Sequence, residues 1–575
     1  MSRCLRRAVC ALLVLAVVLA VWLKSGIYFE TNDDRYITEI LSGAMLGTAD
    51  PHAVHIHYWL SLPLSLLYRI TVRVPWYGGT LILFLAFAYF VFLDCVLGEC
   101  GSIKQVPFFI AAVLAFLLLH FYLLGALQFT SVAAMLALSG WIYFLSDRSR
   151  LRRFAVFGVM SMLACLVRTD AMLLVQPLGL SVYAGLVLRK KGEDFRSKGK
   201  EIIIPMLFIG AVLAAASLGN IIGYWGEEWS EFRKYDQARA RIFDYWGEPE
   251  YGEIKDILDK YGVTETEYEA WSNYDAMDWE VSADCAQEIE DFAKSGREEI
   301  TLSQLWASFR QQMWGNDKWG INRISTILCF VVLVLFVLTK RYALLLPLGL
   351  LQLAKLLIWG YLLYMGRAPL RVTIPLFACE TALLWMLMRK GLSSEDSGKS
   401  PREEKRERYE RRYKGLALLI LCAFCCGAFF SGRQQYRYVA QQNRGQEVFM
   451  EGLRQIEDYC LKQPDNRYLL EAVSMSYYKG SALETEIYGE RNSMVMGTWY
   501  SNSPVMRRAL KNYLGQRGRG VHLIVYDDGR GEEHPAVAYL EEKTASSPVI
   551  ADHLTVSHGG SYLVYYFSGD FRLTE

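Results

Sequence analysis

The chain has 575 residues, 53% of them hydrophobic, and a mean hydropathy of +0.16. That is too apolar for a soluble protein and too charged for a bare membrane bundle, so a polytopic membrane protein with sizeable soluble parts is expected. Its 61 basic and 60 acidic side chains leave a net charge of +1, which gives no electrostatic case for a nucleic-acid partner.

The first apolar run, Ala8 to Leu23, follows Arg3, Arg6 and Arg7. By the positive-inside rule its N-terminus is cytoplasmic. No small-x-small cleavage site follows, because Trp22-Leu23-Lys24 ends the run, so it reads as a retained anchor. The cluster Asn32-Asp33-Asp34 then emerges on the outer face. Carboxylates held at a membrane edge cost desolvation, which marks Asp33 and Asp34 as candidates for proton transfer. The competing reading is that Asn32 and Asp33 cap a helix starting near Tyr36.

Further apolar runs fall at about 76–97, 106–124, 128–145, 154–168, 171–188, 201–223, 321–339, 341–364, 368–388 and 415–432. Basic loops orient them. Arg148–Arg153, Arg189–Lys200 and the charged stretch Arg389–Lys414 should all be cytoplasmic. This parity holds if residues 25–75 form one outer loop without a crossing. Tyr36–Leu46 and Val54–Ile70 are then helices in or near the membrane interface, the second kinked at Pro63. The expected fold is an α-helical bundle of about eleven spans, with the N-terminus cytoplasmic and the C-terminus outside. The expected organisation is a membrane bundle over 1–223, an outer helical domain over 224–320, further spans over 321–432 and an outer α/β domain over 433–575.

Several charged residues stand at the outer ends of spans. Arg168 and Asp170 occupy the break Val167-Arg168-Thr169-Asp170, either as a satisfied ion pair or with Arg168 facing a cavity. Arg367 and Arg371 flank Pro369 in another outer turn and suit an anion, either a donor phosphate or a lipid headgroup. Lys355 lies inside a span, where an ammonium is costly. His52 and His55 are spaced to share a helix face, a weak pattern for a metal near Asp50. Polar-tipped interfacial histidines are the simpler reading.

The 224–320 segment is acidic and rich in Trp and Tyr. It reads as helices over Glu231–Tyr245, Tyr251–Lys260, Thr264–Trp271, Ala283–Lys294 and Leu302–Met313, with a capping box from Thr264 to Glu267. Its tryptophans suit either internal packing or an acceptor-binding face. In the tail, Glu447–Lys462 reads as a helix and Arg467–Val473, His522–Asp527 and Ser561–Phe567 as strands. The glycine-rich Gly515–Gly520 reads as a loop, because no strand and helix flank it in phosphate-loop order.

This layout of anchor, acidic outer loop, many spans and an outer C-terminal domain resembles the GT-C superfamily of polytopic glycosyltransferases, such as protein mannosyltransferases and aminoarabinose transferases. It also resembles bacterial multi-pass membrane proteins of no known substrate. The residue-level match to GT-C is Thr31-Asn32-Asp33-Asp34; some relatives carry Asp-Glu or Asp-x-Asp there. The resemblance implies an inverting transferase in a bacterial plasma membrane. Its donor would be a polyprenyl-phosphate sugar and its acceptor a surface glycan, lipid or protein, with no obligatory cofactor and a divalent metal as an option. Asp33 or Asp34 would be the base, and Arg168, Arg367 and Arg371 would face the phosphate. The alternative is a transporter or assembly component for surface polysaccharide, which should carry polar groups through several span interiors.

Overall fold

Each apolar run read from the sequence lies on a helix in the computed structural model, which describes residues 3–98, 106–146, 148–190, 192–297, 300–392, 403–484, 492–515 and 520–572. Among these residues, 8 helices are long and apolar enough to cross a membrane, which makes this a multi-pass membrane protein. The other expected spans are also helical. Val106–Leu119 and Phe129–Phe144 are shorter, and Arg150–Val167 opens with three arginines in its first turn.

The chain divides into two compact units. The first comprises Met1–Ile27, Gly79–Leu218 and Ile300–Asn443. Small residues let its helices approach closely, the usual device where lipid offers no hydrophobic drive for association. A Cβ on Gly179 of helix Thr169–Leu188 would lie 2.2 Å from the Trp141 ring of helix Phe129–Phe144. Beside this contact the indole Nε1 of Trp141 donates to Gln176 Oε1 at 2.7 Å. Asp94, buried in helix Trp76–Gly98, accepts from Arg6 Nε at 2.7 Å.

The second unit comprises Tyr28–Gly78, Gly219–Glu299 and Arg444–Glu575. Its core joins Tyr36 and Ile40 of the first segment to Phe232 and Trp271 of the second and to Leu523 and Tyr539 of the third. The helices expected within 224–320 are present, and Thr264 and Glu267 form the capping box. The third segment forms a five-stranded sheet. Its strands are β1 (Tyr468–Glu471), β2 (Ser493–Met496), β3 (Val521–Tyr526), β4 (Val549–Thr555) and β5 (Ser561–Phe567), in the order β2-β1-β3-β5-β4. Strands β2, β1 and β3 run parallel, with Leu469 opposite Leu523, and β5 pairs antiparallel with β3 and β4. Of the Gly515–Gly520 motif, residues 516–519 lie outside the described residues, as does 393–402 of the charged linker.

Two boundaries differ from the sequence reading. The helix expected from Tyr36 starts at Asn32, so Asn32 and Asp33 are in its first turn and do not cap it. Thr31 holds the cap position without a side-chain capping bond. The helix stops at Ser42 because Gly43 takes a left-handed conformation with φ of 90°. The separate helices expected over 415–432 and 447–462 are one helix, Glu403–Leu461. No proline interrupts it, and Gly432 serves close packing, since a Cβ there would lie 2.6 Å from the Leu118 carbonyl oxygen.

Candidate functional site

The second unit holds the acidic pair, in the first turn of helix Asn32–Ser42. Backbone N–H groups left open at a helix start favour negative charge there. The two carboxylates have different surroundings. Asp34 is fully buried, and its Oδ1 accepts a 2.8 Å hydrogen bond from the Tyr77 hydroxyl. Asp33 keeps partial access to solvent and lies within 3.5 Å of the Thr31 hydroxyl. Next in the chain, Arg35 donates to Glu39 Oε1 at 2.7 Å and to the Tyr478 carbonyl at 3.1 Å, with both charged residues buried.

Three stretches of chain build this corner. Phe29 N–H donates to the Gly480 carbonyl at 3.1 Å. Gly78 lies so close to the same turn that a Cβ on it would meet the Ala482 oxygen at 1.9 Å. Tyr36 is buried behind the acids, and desolvation drives its phenol well above the usual tyrosine range, with Arg35 opposing and Glu39, Asp33 and Glu471 adding to the rise. The sequence reading found Asp33 and Asp34 but missed Tyr77, Arg35 and Glu39. Arg35 and Glu39 carried a visible signal, an i,i+4 opposite-charge pair. Tyr77 carried none, because it begins an apolar run.

In the first unit, Arg168 stands between two helices in an extended conformation, as the break in the sequence suggested. Its guanidinium lies 3.4 Å from Asp170 Oδ2 and 5.2 Å from the centre of the Phe129 ring. Arg371 lies in the first turn of helix Leu370–Leu392, and its carbonyl accepts from the Ser131 hydroxyl at 3.2 Å. Phe129 and Ser131 open the helix Phe129–Phe144. Arg168 and Arg371 therefore meet the same helix start, and the helices Phe129–Phe144, Thr169–Leu188 and Leu370–Leu392 all begin there. Arg367 precedes the last of these helices, and its N–H donates to the Leu362 carbonyl at 3.1 Å. Aligned helix starts and guanidinium groups are the ingredients of an anion site.

Lys355 is buried and sits 2.8 Å from the Glu380 carboxylate. Ser325 donates to Glu380 Oε2 at 2.8 Å and Gln352 to Oε1 at 3.1 Å. The ammonium that the sequence left open therefore belongs to a network across three helices. His52 uses both ring nitrogens, Nδ1 with Asp50 Oδ1 at 2.6 Å and Nε2 with the Gly223 carbonyl at 2.9 Å, and His55 packs on Trp499 with ring centres 4.1 Å apart. Among the described residues no group of three or more His, Cys, Asp or Glu is placed to hold a metal ion.

A second buried acid pair lies where β1 ends. Glu471 accepts from the Val473 and Ser474 N–H groups at 2.8 and 2.6 Å. Asp275 is fully buried, and desolvation, reinforced by the Glu471 charge, pushes its carboxyl well above the usual carboxylate range.

The sequence matches no family model and no curated protein. Among solved structures, the crystal structure of ArnT from Cupriavidus metallidurans bound to undecaprenyl phosphate is similar over 96% of this chain and 97% of that one. The two are 12% identical, with a TM-score of 0.33.

Proposed function

We propose that this protein is a membrane glycosyltransferase that moves a sugar from a polyprenyl-phosphate donor to an acceptor hydroxyl at the outer side of the membrane. The observation that carries the reading is the contrast between two adjacent carboxylates straight after the first span. Asp34 is dry and fixed, whereas Asp33 is open to a substrate. In an inverting transfer the acceptor oxygen attacks the anomeric carbon as the bond to the lipid phosphate breaks, and the acceptor proton must go to a base. Asp33 takes that proton in this reading. The leaving phosphate gains charge as the bond breaks and needs cationic or N–H partners that are already in place. Arg168 and Arg371, at the shared helix start, supply them, with Arg367 beside them. The outer location rests on the arginine-rich start of the chain.

The full-length protein, reconstituted in lipid nanodiscs, should release polyprenyl phosphate from one member of a panel of polyprenyl-phosphate sugars when an acceptor is present. Asp33→Asn should lower that rate by about 10²- to 10⁴-fold, the usual contribution of general base catalysis.

A transport function is the second reading, and the network of Lys355 and Glu380 inside the spans favours it, since ionised groups at membrane depth often line a pathway. Uptake of a labelled lipid-linked sugar into proteoliposomes, unaffected by Asp33→Asn, would support it over transfer.

A further inference from the structure

We propose that Tyr77 is a positioning residue for the acid pair. Its phenol holds Asp34 ionised in a dry setting and thereby fixes the helix turn that presents Asp33. This inference rests on the transferase reading for its role and on geometry for its mechanism. Tyr77 and Asp34 are both fully buried, and the hydroxyl reaches Oδ1 at 2.8 Å. A phenol is a neutral donor, so it can satisfy a buried carboxylate without cancelling the charge that Asp33 and Asp34 share.

Tyr77 is itself held from several sides. Its backbone N–H donates to the Tyr68 hydroxyl at 3.1 Å, and Tyr68 is buried in helix Tyr58–Ile70. The Phe29 ring lies against it, with centres 6.0 Å apart. Next in sequence, Gly78 has no room for a side chain against the Ala482 carbonyl. The donor therefore has little freedom to turn away. On the acceptor side, the Asp34 carbonyl receives the Thr38 hydroxyl at 2.9 Å, which ties the same residue into its helix. The chain Tyr68–Tyr77–Asp34 thus runs from one helix to the first turn of another, and the residue it stops beside is Asp33.

The test is infrared spectroscopy of the full-length protein in nanodiscs at neutral pH, read in the region of protonated carboxyl groups. Without its donor, Asp34 should take up a proton. Tyr77→Phe should therefore gain an acid band that is absent from the wild type and from the Tyr77→Phe/Asp34→Asn double variant. Identical acid bands in wild type and Tyr77→Phe would overturn the proposal. If Tyr77→Phe does not fold, fluorotyrosine placed at position 77 keeps the shape and strengthens the donor. The carboxylate band of Asp34 should then shift, and an unmoved band overturns the proposal. In the transfer assay Tyr77→Phe should lower kcat about tenfold with the donor KM unchanged, and an unchanged kcat would overturn the positioning role. Full activity in Asp33→Asn would instead sink the base assignment while leaving the infrared result intact.

Discussion

The ammonium of Lys355 sits 2.8 Å from the carboxylate of Glu380, near the middle of two neighbouring helices that are otherwise apolar. Both groups are buried, and Ser325 and Gln352 complete the hydrogen bonding of the carboxylate. Removing one partner of such a pair strands the other charge, which typically costs about 3–5 kcal/mol, whereas replacing both by apolar groups of like size is often neutral. Lys355→Met should therefore lower the thermal midpoint in detergent sharply, and Lys355→Met/Glu380→Leu should recover most of the loss. The double variant should also keep transfer activity, because the pair packs helices and does not touch the donor in this account.

Arg168 and Arg371 should matter through binding. Hydrogen bonds to charged groups contribute about 1.5–3 kcal/mol each, or roughly ten- to a hundredfold in affinity. Arg168→Ala and Arg371→Ala should each weaken binding of undecaprenyl phosphate by that range in a titration with the reconstituted protein. Binding unchanged in both variants would remove the phosphate from this helix start.

The buried Asp275 gives a pH dependence with a defined sign. Its carboxyl is raised by desolvation first and by the Glu471 charge second. The folded state then holds a proton that the unfolded chain has already released above about pH 4. Stability from this group is full below that pH and falls as pH rises toward the raised value. Asp275→Asn keeps the shape and removes the titration, so its thermal midpoint relative to wild type should rise between pH 5 and pH 8. A constant difference across that window would contradict the assignment.

Gly78 tests the corner that holds the acid pair. A methyl group there would meet the Ala482 carbonyl oxygen at 1.9 Å, a backbone atom that cannot swing aside. Overpacking of this kind costs about 1–3 kcal/mol. Gly78→Ala should lower stability by that amount and loosen the turn at 480–482, seen as faster amide exchange there. Gly79→Ala, with no atom within 4 Å of its Cβ, should do neither.

The span pattern was legible because hydropathy and length alone mark an apolar helix, and the break at Arg168 showed as a charge between two apolar runs. The capping box at Thr264 and Glu267 was equally plain, since both partners sit three residues apart. Glu380 was not, because one acid in a long apolar run barely moves its mean hydropathy and its partner Lys355 lies on another helix. The extra turn from Asn32 to Arg35 was missed because acidic residues are good first-turn residues as well as cap neighbours, and only the backbone distinguishes the two. Tyr77 and the pair of Asp275 and Glu471 depend on contacts between distant segments, which no local pattern encodes.

The most direct measurement is the rate at which polyprenyl phosphate is released from polyprenyl-phosphate sugars by the full-length wild type and by Asp33→Asn in the same nanodiscs. The account predicts acceptor-dependent release by the wild type and a loss of at least about a hundredfold in Asp33→Asn, with the donor still bound. Release at equal rates by the two proteins, or none by the wild type with any donor of the panel, would contradict it.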